Sequence, residues 1–175
     1  GKPFPAVSDG AATTMQEEIA QAKADGDSVG GVIECVIDGL PAGIGEPMFD
    51  GVEGVIAKAV FGVPAIKGIE FGKGFELSKM RGSQSNDPFE YKDGKVVTKT
   101  NNCGGILGGI TNGMPVIFRV GVKPTPSISK EQDTVDLQKK ENAKLVIKGR
   151  HDPCIVPRAV PVIEAVTAVA IINLL

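Results

Sequence analysis

Hydrophobic and polar positions follow two periods along this chain, and the change of period marks the elements. Over residues 11–25, Met15, Ile19 and Ala22 recur at helical spacing, with Asp9 placed to cap the start and Gly26 to stop the helix. Residues 32–38 alternate as a strand, with Ile33, Cys35 and Ile37 on one face and Val32, Glu34, Val36 and Asp38 on the other. The stretch from Gly39 to Pro47 is too rich in Gly and Pro to be an element interior. Asp50, with Glu53 three positions on, reads as a capping box opening a helix whose stripe is Val52, Val55, Ile56, Ala59 and Val60. Short strands are expected at 65–71 and 75–80, then an exposed loop or hairpin over 81–102 that turns at Asp93-Gly94. Val116, Phe118, Val120 and Val122 form one row of a strong strand, and weaker strands are expected at 134–137 and 144–147. Residues 159–175 are apolar nearly all round and read as a buried helix with Pro161 in its first turn. That segment is short for a bilayer span and carries Glu164 and Asn173.

This order of helices and strands predicts an α/β layered domain, a single one over residues 1–175, without internal repeats or low-complexity tracts. Composition narrows the chemistry. Nineteen basic against 21 acidic residues leave a net charge of −2, so neither a nucleic-acid surface nor a polybasic membrane patch is expected. Affinity for anions must therefore come from a few placed cations. Cys35, Cys103 and Cys154 are odd in number, lack a C-x-x-C pair and accompany a single His, which argues against a disulfide framework or a zinc site and for a reduced, cytoplasmic setting. The chain opens at Gly1 without a Met or a signal peptide and stops at Leu175 with helical periodicity still running, so it reads as a piece of a longer protein.

Three clusters could carry chemistry. Gly104-Gly105-Ile106-Leu107-Gly108-Gly109 sets two glycine pairs around an apolar plug; it can expose backbone N–H groups to a phosphate or flavin, or simply make turns. It is neither a G-x-G-x-x-G fingerprint nor a P-loop. Lys123-Pro124-Thr125-Pro126-Ser127 leaves the 116–122 strand with Arg119 and Lys123 on one face and two hydroxyls at a strand end, which suits an anionic ligand or a merely solvated exit. Gly149-Arg150-His151-Asp152-Pro153 joins a guanidinium to a carboxylate before the last helix: Arg150 could bind phosphate or carboxylate and Asp152 could act as a base. The plainer alternative makes Asp152 a helix cap with Arg150 as its ion-pair partner, and His151 a loop residue.

Taken in order, these clusters resemble chorismate synthase. The resemblance is carried by Gly26-Asp27-Ser28-Val29-Gly30-Gly31, Gly43-Ile44-Gly45-Glu46-Pro47, Arg81-Gly82-Ser83-Gln84, the Gly104–Ile110 stretch, Lys123-Pro124-Thr125, Lys148-Gly149-Arg150-His151-Asp152-Pro153-Cys154 and Arg158-Ala159-Val160-Pro161-Val162-Ile163-Glu164-Ala165. It implies a layered β-α-β sandwich, with helices packed against antiparallel sheet and a pseudo-repeat in the complete chain, and a cytoplasmic homotetramer. It implies a carbon–oxygen lyase of the shikimate pathway to the aromatic amino acids. That enzyme removes phosphate from 5-enolpyruvylshikimate 3-phosphate by 1,4-anti elimination, with reduced FMN and no net redox change; NADPH is a possible reductant. By family position, Pro64, Ala65, Gly108, Lys123, Pro124, Thr125, Pro126, Ser127 and Arg150 line the flavin site, Arg150 also faces the substrate, and Asp152 assists proton transfer. Pro64 stands where many relatives have Asn. The resemblance covers the C-terminal, core portion of the family chain. The N-terminal half, with its catalytic histidines and substrate-binding arginines, is not among these residues, so the piece alone is expected to be inactive and to expose apolar surface. Two other readings are a non-catalytic assembly core and a flavin-reductase-like flavoprotein, the latter without a dinucleotide fingerprint here.

Overall fold

A computed structural model describes residues 4–175. In chain order its elements are α1 (Asp9–Ala24), β1 (Gly31–Ile37), α2 (Val52–Phe61), β2 (Ile66–Phe71), α3 (Gly82–Ser85), β3 (Phe89–Lys92), β4 (Lys95–Thr98), β5 (Ile106–Leu107), β6 (Ile110–Thr111), β7 (Val116–Val122), β8 (Gln132–Asp136), β9 (Glu141–Leu145) and α4 (Val156–Ile172). Single 3-10 segments occupy Met48–Asp50 and Gly74–Lys79. The result is a mixed α/β fold whose recorded strand pairs are antiparallel. The chain packs as two compact units: one of residues up to Gly31 with Lys123–Val160, the other of Val32–Val122 with Pro161–Leu175.

The second unit holds the main core. Its sheet runs β1-β7-β2, with only Gly31 of β1 counted in the first unit. The row Val116, Phe118, Val120 and Val122 is buried, as its alternation predicts, and the inner residues of α2, Val52, Ile56 and Val60, are fully shielded. Each such side chain stabilises the fold by about 1.5–3 kcal/mol relative to exposure. Phe71 and Phe118 meet with ring centroids 5.6 Å apart. The expected hairpin is present as β3–β4, with Asp93 (φ 51°) and Gly94 (φ 75°) both left-handed, as a type I′ turn requires.

Several expectations change. The cap of α1 is Ser8, whose Oγ accepts from Ala11 N–H at 3.2 Å; Asp9 is already in the first turn. Only Ala22 of the α1 stripe is buried: Ile19 is half-buried and Met15 is exposed. Gly26 does end α1, at φ 67°, with Gly26 N–H donating to Lys23 O and Asp27 N–H to Ala22 O, a Schellman closure. Asp50 caps nothing: α2 begins after Gly51, and Val52 N–H is served by Gly109 O at 2.9 Å. Residues 75–80 form a 3-10 segment rather than a strand, because left-handed Gly72 and Gly74 turn the chain and Glu70 Oε2 accepts from Phe75 N–H. The weaker strands lie slightly earlier, as the β8–β9 hairpin, whose faces are mostly exposed. Pro161 falls inside α4, since the helix starts at Val156 and Pro157 takes the first turn. Nor is α4 buried all round: Ile163, Thr167, Ala170 and Ile171 are covered, while Val162, Val169 and Ile172 are exposed.

Candidate functional site

The first unit brings together most of the chemistry picked out in sequence. Arg150, His151, Asp152, Cys154 and Arg158 line an open cleft of about 730 Å³ that Lys23, at the end of α1, also borders. Asp152 lies ahead of α4 and folds back on its own loop: Oδ1 accepts from Cys154 N–H at 3.2 Å, an Asx turn, and Oδ2 is ion-paired with Arg158. The ion-pair partner is thus Arg158 and not Arg150, because α4 carries Arg158 back over the loop. Arg150 is exposed and makes no hydrogen bond or ion pair among the described residues, which leaves a guanidinium free beside an oriented carboxylate. His151 Nε2 lies 2.9 Å from Ile147 O. A carbonyl only accepts, so that nitrogen carries the proton and the ring is a structural tie.

Lys123 to Ser127 belongs to the same unit and follows β7 directly. Pro124 and Pro126 have no N–H to donate, so the segment is held from outside: Ser28 Oγ donates to Thr125 O at 2.6 Å, and Ser129 N–H donates to Gly26 O at 2.9 Å. Lys130 closes the arrangement on Asp27 at 2.8 Å. This pair lowers the Asp27 carboxyl below its usual range, first through the Lys130 hydrogen bond and then through Ser28 N–H, and raises the Lys130 amine. Among the described residues, Thr125 Oγ1 is buried without a partner. Buried hydroxyls are nearly always bonded, so this one fits a site that takes an acceptor from a ligand such as a phosphate.

Pro64, Ala65 and Gly108 lie in the second unit. Ala65 enters β2 at φ 73°, a conformation a residue with a side chain adopts only at a cost of about 1–3 kcal/mol and which concentrates at functional positions. Pro64 is exposed. The stretch 104–109 leads into the β5–β6 hairpin, which turns at Gly108-Gly109, at φ 60° and 86°. Its glycines are mostly fixed by packing: a Cβ on Gly109 would stand 2.5 Å from Glu46 O, one on Gly105 2.5 Å from Pro115 O, and one on Gly104 would strike Gly72. Gly108 differs, since a Cβ there would meet nothing. Of the four, only Gly108 offers its backbone to open space. Arg119 is not available as a ligand cation, because it is bound to Glu70 across the β2–β7 pair at 3.0 Å.

Sequence reasoning missed Ser28, Lys23 and Arg158 as parts of this arrangement. A signal for an outside anchor existed in the two prolines of 124–126, although nothing in the pattern pointed to Ser28 as that anchor. Among the described residues no helix is long and apolar enough to cross a membrane, and the three cysteines are free.

A family model for chorismate synthase matches residues 1–175. The chain is 56% identical over 164 residues to the chorismate synthase of Dehalococcoides mccartyi, covering 94% of this chain and 45% of that protein. It is 53% identical to the Methanosarcina barkeri protein of that name over 92% of this chain and 44% of the relative. For Archaeoglobus fulgidus the identity is 57%, over 84% of this chain and 41% of the relative. A crystal structure of chorismate synthase superposes with a TM-score of 0.75 at 32% identity, over 94% of this chain and 42% of that one. The chain thus spans less than half the length of the relatives it matches.

Proposed function

The chain belongs to the chorismate synthase family, and from that premise we propose that it supplies part of a flavin-dependent site eliminating phosphate from 5-enolpyruvylshikimate 3-phosphate to give chorismate. The observation that carries this reading is the pairing, in one cleft, of an oriented carboxylate with an uncommitted guanidinium: Asp152 is fixed through both oxygens while Arg150 has no partner among the described residues. Arg150 binds an anionic group of the substrate, and its planar fork suits phosphate or carboxylate oxygens. Asp152 holds or moves a proton at its carboxylate, with Cys154 N–H and Arg158 keeping the group aimed.

Reduced FMN, when bound, supplies electron density to the departing phosphate without net redox change. The residues fit such a group. In the first unit the Thr125 hydroxyl is buried and unbonded among the described residues, with Lys123 and Ser127 two positions to either side; by itself, Gly108 of the second unit presents backbone to open space. Lys123 and Thr125 would hold the flavin phosphate, the one by charge and the other by hydrogen bond. By family resemblance Pro64 and Ala65 are proposed as further flavin-facing residues, carried by the second unit, where Pro64 would contribute surface rather than a side-chain hydrogen bond. The family resemblance further suggests a cytoplasmic homotetramer, and we expect the 175 residues alone to bind ligand without turning it over.

The experiment is an FMN titration of this chain followed by flavin fluorescence, with and without the phosphorylated substrate. Saturable binding that substrate strengthens is expected. Lys123→Ala weakens it, while Asp152→Asn leaves FMN affinity within about twofold, because a proton-transfer group adds little to ground-state binding. Absence of binding at high protein concentration would leave these residues as scaffold.

A further inference from the structure

The turn Gly26-Asp27-Ser28-Val29 presents no group to a ligand, yet both ligand-bearing segments of the first unit hang on it. Ser28 Oγ donates to Thr125 O at 2.6 Å, and the next residue, Val29, donates its N–H to Pro153 O at 2.8 Å. Consecutive residues therefore tie the Lys123–Ser127 segment and the Arg150–Asp152 loop to a common point. Gly26 O and the Asp27 carboxylate hold Ser129 and Lys130 on the far side of Thr125.

The turn is rigid for local reasons. The Schellman closure of α1 fixes Gly26 in the left-handed region, and Asp27 Oδ1 accepts from Ser28 N–H at 2.8 Å. Its partner segment is stiffened at Pro124 and Pro126 but has few donors of its own. Two of its five residues lack amide hydrogens, so the backbone cannot join a ladder; among the described residues it is held by Ser28 Oγ on Thr125 O and, more weakly at 3.4 Å, by Gln132 Nε2 on Pro126 O. Of these two bonds, the one from Ser28 is the shorter and is made to Thr125 itself, so it fixes the residue that carries the unbonded hydroxyl.

We infer that Ser28 is a positioning residue for phosphate recognition, setting the Thr125 hydroxyl in register with Arg150 and Asp152 without touching ligand itself. This rests on the reading of Lys123–Ser127 as the flavin-phosphate segment. The test is carried out on the 175-residue chain with Ser28→Ala, Ser28→Thr and Lys123→Ala. FMN and riboflavin affinities are read by fluorescence, and backbone hydrogen exchange is followed along residues 123–130. Ser28→Ala is expected to weaken FMN about fivefold to tenfold, the size of one lost hydrogen bond, and to leave riboflavin, which has no phosphate, unchanged. Exchange at Thr125 and Ser127 quickens, and Ser28→Thr, which keeps the hydroxyl, restores both readouts. Equal losses for FMN and riboflavin would reduce Ser28 to a general structural contact and overturn the inference. So would an unchanged FMN affinity in Ser28→Ala while Lys123→Ala still weakens it, which would leave the flavin-segment reading standing. If neither variant changes FMN affinity, or the chain binds no FMN, that reading fails and the inference with it.

Discussion

In and just ahead of the β5–β6 hairpin, Gly104, Gly105 and Gly109 are taken up by the protein's own backbone, whereas in the Lys123–Ser127 segment the packing leaves a hydroxyl unbonded. Both stretches look like ligand loops in sequence. Gly45, Gly51 and Gly109 meet so closely that a Cβ on Gly45 would stand 2.5 Å from Gly109 O and one on Gly51 2.9 Å from Gly109 Cα. The 41–46 stretch is laced to β6 by Gly43 N–H to Thr111 O and Thr111 N–H to Ile44 O, each 2.9 Å. Glycine density therefore reports close approach of backbone without saying whether the approaching atom is protein or ligand. The proline-bounded segment is held through two carbonyls, Thr125 O by Ser28 and Pro126 O by Gln132, and leaves the buried Thr125 hydroxyl unbonded among the described residues.

This contrast breaks first at Gly109. Gly109→Ala adds a Cβ against Glu46 O at a left-handed position and is expected to destabilise by about 3 kcal/mol, from backbone strain and overpacking together. Gly108→Ala meets no atom, so only the conformational term of about 1 kcal/mol remains. Thermal denaturation of the two variants compares them directly. Equal losses would mean that packing does not distinguish the pair.

The next effect lies just ahead of the hairpin. Asp87 is buried and accepts from Asn102 N–H at 2.7 Å, Cys103 N–H at 2.8 Å and the Thr100 hydroxyl at 2.7 Å. Burial by itself would raise its pKa, but these donors outweigh it and bring the group below the usual carboxylate range. A carboxyl depressed in the folded state adds stability above its unfolded value, near 3.9, and that stability is lost as pH falls through the folded value. Asp87→Asn is expected to lose about 2 kcal/mol at neutral pH and correspondingly less in acid. Urea midpoints at pH 7 and pH 3 give the two numbers, and a pH-independent difference would refute the charged role.

Thr125→Val sharpens the other side of the contrast. Removing a buried hydroxyl that has no partner leaves stability level or slightly higher, whereas FMN affinity falls about fivefold. A stability loss like that of a bonded threonine would show that Thr125 is tied within the protein. The smallest effect is chemical. Burial pushes the Cys103 thiol up and the neighbouring Asp87 adds to it, so alkylation at neutral pH is slow and quickens in Asp87→Asn.

Elements with an unbroken period were legible in the sequence. The Val116–Val122 row and the Asp93-Gly94 hairpin stand as read, because alternation and turn chemistry are local. Caps were not, since Asp9 and Ser8 are equally good cap residues and Asp50 competes with a distant carbonyl, Gly109 O, for the start of α2. Phe75 and its neighbours alternate like a strand, yet left-handed Gly72 and Gly74 turn the chain into a 3-10 segment there. In the candidate site, Arg150 and Asp152 could be picked out by residue type, but the pairing of Asp152 with Arg158 depends on how α4 returns over the loop. Ser28 was quoted only as part of a motif, because its role exists only once residues far apart in sequence meet.

The strand order β1-β7-β2 also has a consequence for how this protein is made. The central strand is the last of the three in the chain, so β1 and β2 have no partner in that sheet until Val122 has been synthesised. During that interval the apolar faces of both early strands, and the inner face of α2, are uncovered in a nascent chain. Pairings of such long sequence separation form slowly and expose the chain to association while they wait. The same hub that gives the finished sheet its most buried row makes its assembly dependent on shelter during translation.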